Sequence, residues 1–169
     1  MKIIRTGQAQ LPDMRRYWES ARSYQLEQGL PSWGEFPADL IIDEINRGMH
    51  FTAYDHDSEC IGYFSLAVSD SEIWGEDEKG DAIYIHRMCV NPAKKGKRFT
   101  DHVLSWAHGY AGALHKRFVR MDTWAANEPL VDYYISCGFK HVRNKKLGSM
   151  PNLLDHYNNI VLALFQNDL

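Results

Sequence analysis

The run AIYIHRMCV, residues 82–90, limits the fold of this chain more than any other stretch. Only His86 and Arg87 interrupt its apolar character. Alternation would mark a strand with one wet face. A near-continuous apolar run of this length, with Ile83, Ile85 and Val90 branched at Cβ, predicts a strand covered on both faces. Such a strand belongs at the centre of a sheet with helices on either side.

The flanking segments supply the rest of that architecture. KIIRT reads as a first strand. Met14, Tyr17, Trp18 and Ala21 recur at helix spacing over 13–28, and Gly29 is placed to end that helix. PADLIIDEINRG predicts a second helix, with Pro37 near its start, Leu40, Ile41 and Ile45 inward, and Gly48 as its stop. HFTAYD and CIGYFSLAV are strands about a turn at 55–59. After the 82–90 strand, Phe99, Val103, Ala107, Ala111 and Leu114 trace one helix face. FVRMDTWA is a strand, and NEPLVDYYISCGF is a short helix capped by Asn127 and ended by Gly138. FKHVRN and NNIVLALF close the chain. The order β-α-α-β-β-β-α-β-α-β-β describes an α/β fold, a mixed sheet flanked by helices.

A chain of 169 residues without repeats or a dividing linker suits one domain over 1–169. It can bury about 68–70% of its unfolded surface and needs no covalent staples. Three widely spaced cysteines, Cys60, Cys89 and Cys137, form neither a disulfide framework nor a zinc pattern. His102, His108 and His115 lack the i,i+4 spacing of helical ligands, so no metal is expected. The N-terminus has no long apolar run, which predicts no membrane span and a cytoplasmic setting. A net charge of −3 argues against nucleic acid as a partner.

Charge is unevenly spread. Residues 70–81 hold Asp70, Glu72, Glu76, Asp77, Glu78 and Asp81 against Lys79 alone. Lys94, Lys95, Lys97 and Arg98 then crowd the loop after the central strand. Strand, short loop and helix start make an anion site, because unpaired N–H groups and the helix dipole favour negative charge there. From spacing alone, a charge run before a helix is more often a solvated face. The loop is neither a Walker loop nor a Rossmann GxGxxG.

IHRMCVNPAKKGKRFTDHVLSWA and DTWAANEPLVDYYISCGF, taken together, resemble the Gcn5-related N-acetyltransferase (GNAT) family. The second stretch is similar to the family's N-x-x-[AL]-x-x-x-Y-x-x-x-G-F segment at Asn127, Leu130, Tyr134, Gly138 and Phe139. The resemblance implies the acyl-CoA N-acyltransferase fold and acetyl-CoA as cofactor. It implies main-chain contacts to the pantetheine arm from Met88, Cys89 and Val90. It further implies a pyrophosphate cradle of Lys95, Gly96, Lys97, Arg98, Phe99 and Thr100, and a contact from Asn127. Arg98 and Thr100 depart from the family's small residues, so Arg98 either pairs with phosphate or crowds the site, and Thr100 either caps the helix or bonds phosphate.

Acetyl transfer to an amine needs a neutral amine, donors for the developing oxyanion and a proton for the thiolate. The resemblance makes Tyr134 the acid rather than a core tyrosine, with N–H groups near Met88 to Val90 as oxyanion donors. Tyr84, His86 and Met88 share one strand face if no bulge intervenes. His86 is then the base or a structural histidine. Cys137 has no evident His partner for a covalent route. The acidic segment flanks the acceptor side or merely solubilises, and Trp33 and Glu35 are expected to line that pocket. The expected function is N-acetyl transfer to a small-molecule or peptide amine, the alternative being a silent acyl-CoA-binding module. A homodimer is the assembly to test.

Overall fold

In the computed structural model, which describes residues 1–96 and 98–169, the elements follow the expected order with one addition. They are β1 (Lys2–Arg5), α1 (Leu11–Glu27), α2 (Ala38–Asn46), β2 (His50–Tyr54), β3 (Cys60–Ala67) and α3 (Ser71–Trp74). Then come β4 (Ala82–Val90), α4 (Phe99–Ala113), β5 (Phe118–Trp124), α5 (Glu128–Ser136), β6 (Lys140–Lys146) and β7 (Val161–Asp168). The seven strands form a sheet ordered β1-β2-β3-β4-β5-β7-β6. The β4–β5 pair is parallel because the chain crosses back through α4, and the other pairs are antiparallel.

The apolar run is the central strand. On one face Ile83 and Ile85 pack with Val103, Ala107 and Ala111 of α4. On the other, Tyr84 packs with Trp74, Trp124 and Leu162. Beside it Cys89 and Tyr63 meet Met14, Tyr17 and Trp18 of α1 and Ile41 of α2. Leu114, expected on the buried face of α4, is instead the residue that ends the helix and lies exposed.

The acidic segment is not a plain loop. Asp70 accepts a hydrogen bond from the Ile73 amide and caps α3, whose Ile73 and Trp74 are buried. Arg143 pairs with Asp77, and the Lys145 ammonium donates to the Ile73 carbonyl, so basic side chains of β6 fasten the segment to the sheet. No helix among the described residues is long and apolar enough to cross a membrane.

The register between β3 and β4 contains the feature on which the site depends. Ser65 faces His86 and Tyr63 faces Cys89, so Phe64 alone opposes Arg87 and Met88. That is a bulge on β4, and Arg87 adopts φ 51° within it. The bulge intervenes in the face expected for Tyr84, His86 and Met88. Tyr84 and His86 remain together, whereas Met88 turns to the α4 side, beside the cluster holding Ile85 and Phe99.

Gly62 permits the close approach that accompanies the bulge. A Cβ there would lie 2.5 Å from the Cys89 carbonyl oxygen and 3.0 Å from the Phe99 ring. Gly62→Ala is therefore expected to push β4 or Phe99 aside and to cost about 1–3 kcal/mol, measured by urea denaturation.

Candidate active site

Parallel pairing of β4 and β5 runs from Ala82↔Phe118 to Ile85↔Met121 and ends there. Beyond it β5 stays with β7 as far as Trp124, while the bulge carries β4 along β3. The strands part as a fork, and the first residues past the last pair are His86 and Asp122. A cleft of about 900 Å³ opens over the fork. Its walls include Met88, Cys89 and Val90 of β4, Asn127 and Tyr134 beyond β5, and Tyr24 and Gln25 of α1.

The basic loop lies at the mouth, where Lys95, Gly96, Arg98, Phe99 and Thr100 all line the cleft. Lys97, expected in the same cradle, lies outside the described residues. The charges of this loop are turned toward the chain itself. Lys94 pairs with Asp55 at 3.0 Å and with Glu59. The Lys95 ammonium stands 4.8 Å from the Tyr24 ring centre, a cation–π contact across the cleft. Arg98 pairs with Asp101, its side chain 65% exposed.

Arg98 takes the left-handed conformation at φ 48° and Gly96 has φ 80°, so the loop bends as a glycine-rich one would. Arg98 makes no capping hydrogen bond to α4 with its side chain, which is held by Asp101. Thr100 does not cap either, being buried in the first turn. The loop amides and the α4 N-terminus are left as the anion-binding groups.

Asn127 accepts a hydrogen bond from the Leu130 amide at 3.3 Å, which caps α5 and leaves its NH₂ group for the cleft. About two turns on, Tyr134 is buried against Phe139 and Phe165. Burial pushes its phenol up, so it stays protonated. Tyr133 is 37% exposed and lies toward the loop. Cys89 contributes main chain alone, because its thiol is buried with α1 and pushed up to about 12. Cys137 does not line the cleft, Trp33 does, and Glu35 does not.

His86 stands between two carboxylates. Asp70 Oδ2 is 3.4 Å from Nε2, and Asp122 Oδ1 is 3.8 Å from Nδ1. All three side chains are nearly buried: Asp70 is 9% exposed, Asp122 5% and His86 12%. Burial penalises charge, pushing Asp122 up to about 8 and Asp70 up to about 6, and pulling His86 down to about 3. Asp70 and Asp122 escaped the sequence reading. Asp122 had a usable signal, as an acid inside the apolar FVRMDTWA strand next to the strand of His86. Asp70 was hidden among six acids, and only the fold turns it inward.

Two measurements probe these features. Arg98→Gly and Arg98→Ala both remove the Asp101 pair, but only glycine relaxes at positive φ. The glycine variant is expected to be more stable by about 1 kcal/mol in urea denaturation. The second concerns pH. A folded-state value for Asp122 raised to about 8, against about 3.9 when unfolded, gives stability that is complete in acid and lost as pH rises through 8. Asp122→Asn cannot ionise, so its Tm should gain on the wild type between about pH 5 and pH 9.

The GNAT acetyltransferase family model matches residues 14–139. The uncharacterized N-acetyltransferase YesJ of Bacillus subtilis strain 168 is 28% identical over 104 residues, covering 59% of this chain. The match spans 57% of that relative's length. A GNAT-family acetyltransferase of Listeria monocytogenes superposes with a TM-score of 0.72 at 18% identity, over 99% of this chain and 94% of its own. The spermidine N-acetyltransferase of Vibrio cholerae, solved with CoA and spermine, gives 0.68 at 14% identity, over 99% and 94%. These two likenesses bear on the fold, and the family model covers most of the chain, from α1 through the bulged β4 and the loop to Phe139. The chain belongs to the GNAT acetyltransferase family.

Proposed function

We propose that this chain is an acetyl-CoA-dependent N-acetyltransferase acting on a primary amine by direct attack, with Tyr134 as the acid and His86 on the base side. The observation that carries the reading is the fork, which brings His86, Asp122 and the Tyr134 wall into one cleft with an anion-binding loop at its mouth. Acetyl-CoA would supply an activated thioester carbonyl to that cleft.

The free edge of β4, at Met88, Cys89 and Val90, would hold the substrate's arm through main-chain groups, as an added strand would be held. Amides from Lys95 to Thr100 would take the pyrophosphate at the start of α4. The Asn127 NH₂ group would meet the arm from the opposite wall. Tyr134 keeps its proton at neutral pH and would give it to the departing sulfur. N–H groups of the Met88–Val90 edge would serve as donors for the oxyanion.

The acceptor end favours a cation. Trp33, Trp124 and Tyr157 supply aromatic walls, and the Asp122 carboxyl in the same cleft, held protonated at neutral pH by burial, would ionise on meeting an ammonium group. That spermine occupies the Vibrio cholerae protein supports a small cationic amine here. A module that only binds acyl-CoA would need neither the acid nor the buried base cluster, so transfer is the better reading.

Calorimetric titration with acetyl-CoA, followed by thiol release across a panel of amines including spermidine and spermine, tests this directly. Binding with amine-dependent thiol release is expected. Tyr134→Phe should then lower kcat by about 10²-fold or more while acetyl-CoA still binds. No binding at millimolar acetyl-CoA, or full activity in Tyr134→Phe, would overturn the assignment.

A further inference from the structure

Asp70, His86 and Asp122 come from the turn before α3, from β4 and from β5, and they meet under the floor of the cleft. Asp70 Oδ2 is buried with no hydrogen-bond partner among the described residues, although it lies beside the imidazole. A buried carboxylate oxygen without a donor is costly. Its position is explained if the imidazole becomes, during turnover, the N–H donor that it lacks.

Asp70 Oδ2 lies beside Nε2 and Asp122 Oδ1 beside Nδ1, and one oxygen of each carboxylate and a ring nitrogen all lie within 4.8 Å of one another. A ring with a carboxylate beside each nitrogen can take a proton at one side while the other side offsets its charge.

We infer that Asp70, His86 and Asp122 act as one proton-accepting unit for a cationic amine. Asp122 meets the ammonium group in the cleft, His86 takes its proton, and Asp70 steadies the imidazolium from behind. The inference rests on the amine-acetylating reading above. In the balanced step, the ammonium gives one proton to the unit, and the freed lone pair forms the N–C bond as the C–S bond breaks. Sulfur takes the Tyr134 proton, and the second nitrogen proton returns to that phenolate. One proton remains on the unit and leaves to solvent after the product.

The neighbouring groups suit this role. Arg87 is a neighbouring cation of all three groups, but it is committed to Glu44 of α2. Glu78 adds negative charge near Asp70, while the Lys145 ammonium donates to the Ile73 carbonyl. Tyr134, His156 and Tyr157 complete the surround, all uncharged at neutral pH with their values moved away from ionisation. The unit thus sits where gaining one proton lowers its net charge, which burial favours. Asp122 and His86 touch substrate in this scheme, and Asp70 is a positioning residue.

Asp70→Asn is a clean variant, because asparagine preserves the α3 cap. Ring-nitrogen NMR of histidine-labelled protein, with His86→Gln to assign the signals, reads the bracket without any turnover. The Nε2 signal should move in Asp70→Asn and the Nδ1 signal in Asp122→Asn. If either nitrogen ignores its partner's loss, the unit does not exist. With spermine as probe amine, Asp70→Asn should lower kcat/KM by roughly 10²-fold, the scale of a misplaced catalytic group. Its acid limb should also shift to lower pH, since the imidazolium loses its counter-charge, and KM for acetyl-CoA should hold. A uniform loss at every pH with an unmoved limb would make Asp70 merely structural and overturn its role. If no amine in the panel is acetylated, the function proposed above fails, and the NMR result still decides whether the bracket exists.

Discussion

The contact between Gly62 and the Cys89 carbonyl governs the whole site. A sheet whose central strands paired along their full length would have no cleft at this point. Here β4 can leave β5 because β3 has room to receive it, and it has room because position 62 carries no Cβ. The bulge at Arg87 takes up the extra residue and re-aims those that follow. Strand β5 cannot follow, since it is paired with β7 from Phe118 to Trp124. The same Gly62 receives the ring of Phe99, so the start of α4 is seated on this contact as well. One absent methyl group couples the depth of the cleft to its mouth.

Electrostatic importance does not follow charge count. Six acids between residues 70 and 81 would suggest an attractive field for cations. Most of them are already used. Asp77 meets Arg143, Asp81 approaches Arg120, and Glu78 accepts from the amides of Asp70 and Gly80. Exposed charges are also screened within about 8–10 Å at ordinary salt. Asp70 is turned into the protein, its side chain 9% exposed and one oxygen without a hydrogen-bond partner among the described residues, so its interactions act at reduced dielectric. A single desolvated carboxylate at the fork therefore weighs more than the remaining acids together.

Local signals in the sequence carried the elements well. Residues 82–90 form β4 with the expected bounds, Asn127 caps α5, and Tyr134 reaches the cleft while Tyr133 lies nearer the surface. These are decided by periodicity and capping within one segment. The bulge was not legible, because it depends on how β3 is spaced against β4 and no single strand records that. Met88 changed faces for this reason. Asp70 and Asp122 were illegible for a related one: they are 52 positions apart and meet only through the parallel register of β4 with β5. Leu114 failed locally, since the last apolar residue of a helical stripe falls beyond the hydrogen-bonded turn and loses its buried face.

The loop after β4 resolves an apparent contradiction between its composition and the task proposed for it. A cradle for pyrophosphate formed from amides needs close backbone approach, and bulky cations would obstruct it. The chain keeps the cations but anchors them elsewhere: Lys94 to the β2–β3 turn through Asp55 and Glu59, Lys95 to Tyr24 on α1, and Arg98 to Asp101 on α4. Each anchor also tensions the loop against a different element, so the charges act as guy-lines for the backbone. Arg98 can occupy a glycine-like position because its side chain is drawn outward by Asp101, and the strain at φ 48° is the cost of that hold. Phosphate would then be recognised by the shape of the loop and the α4 dipole, with the surrounding cations adding only a screened, general attraction.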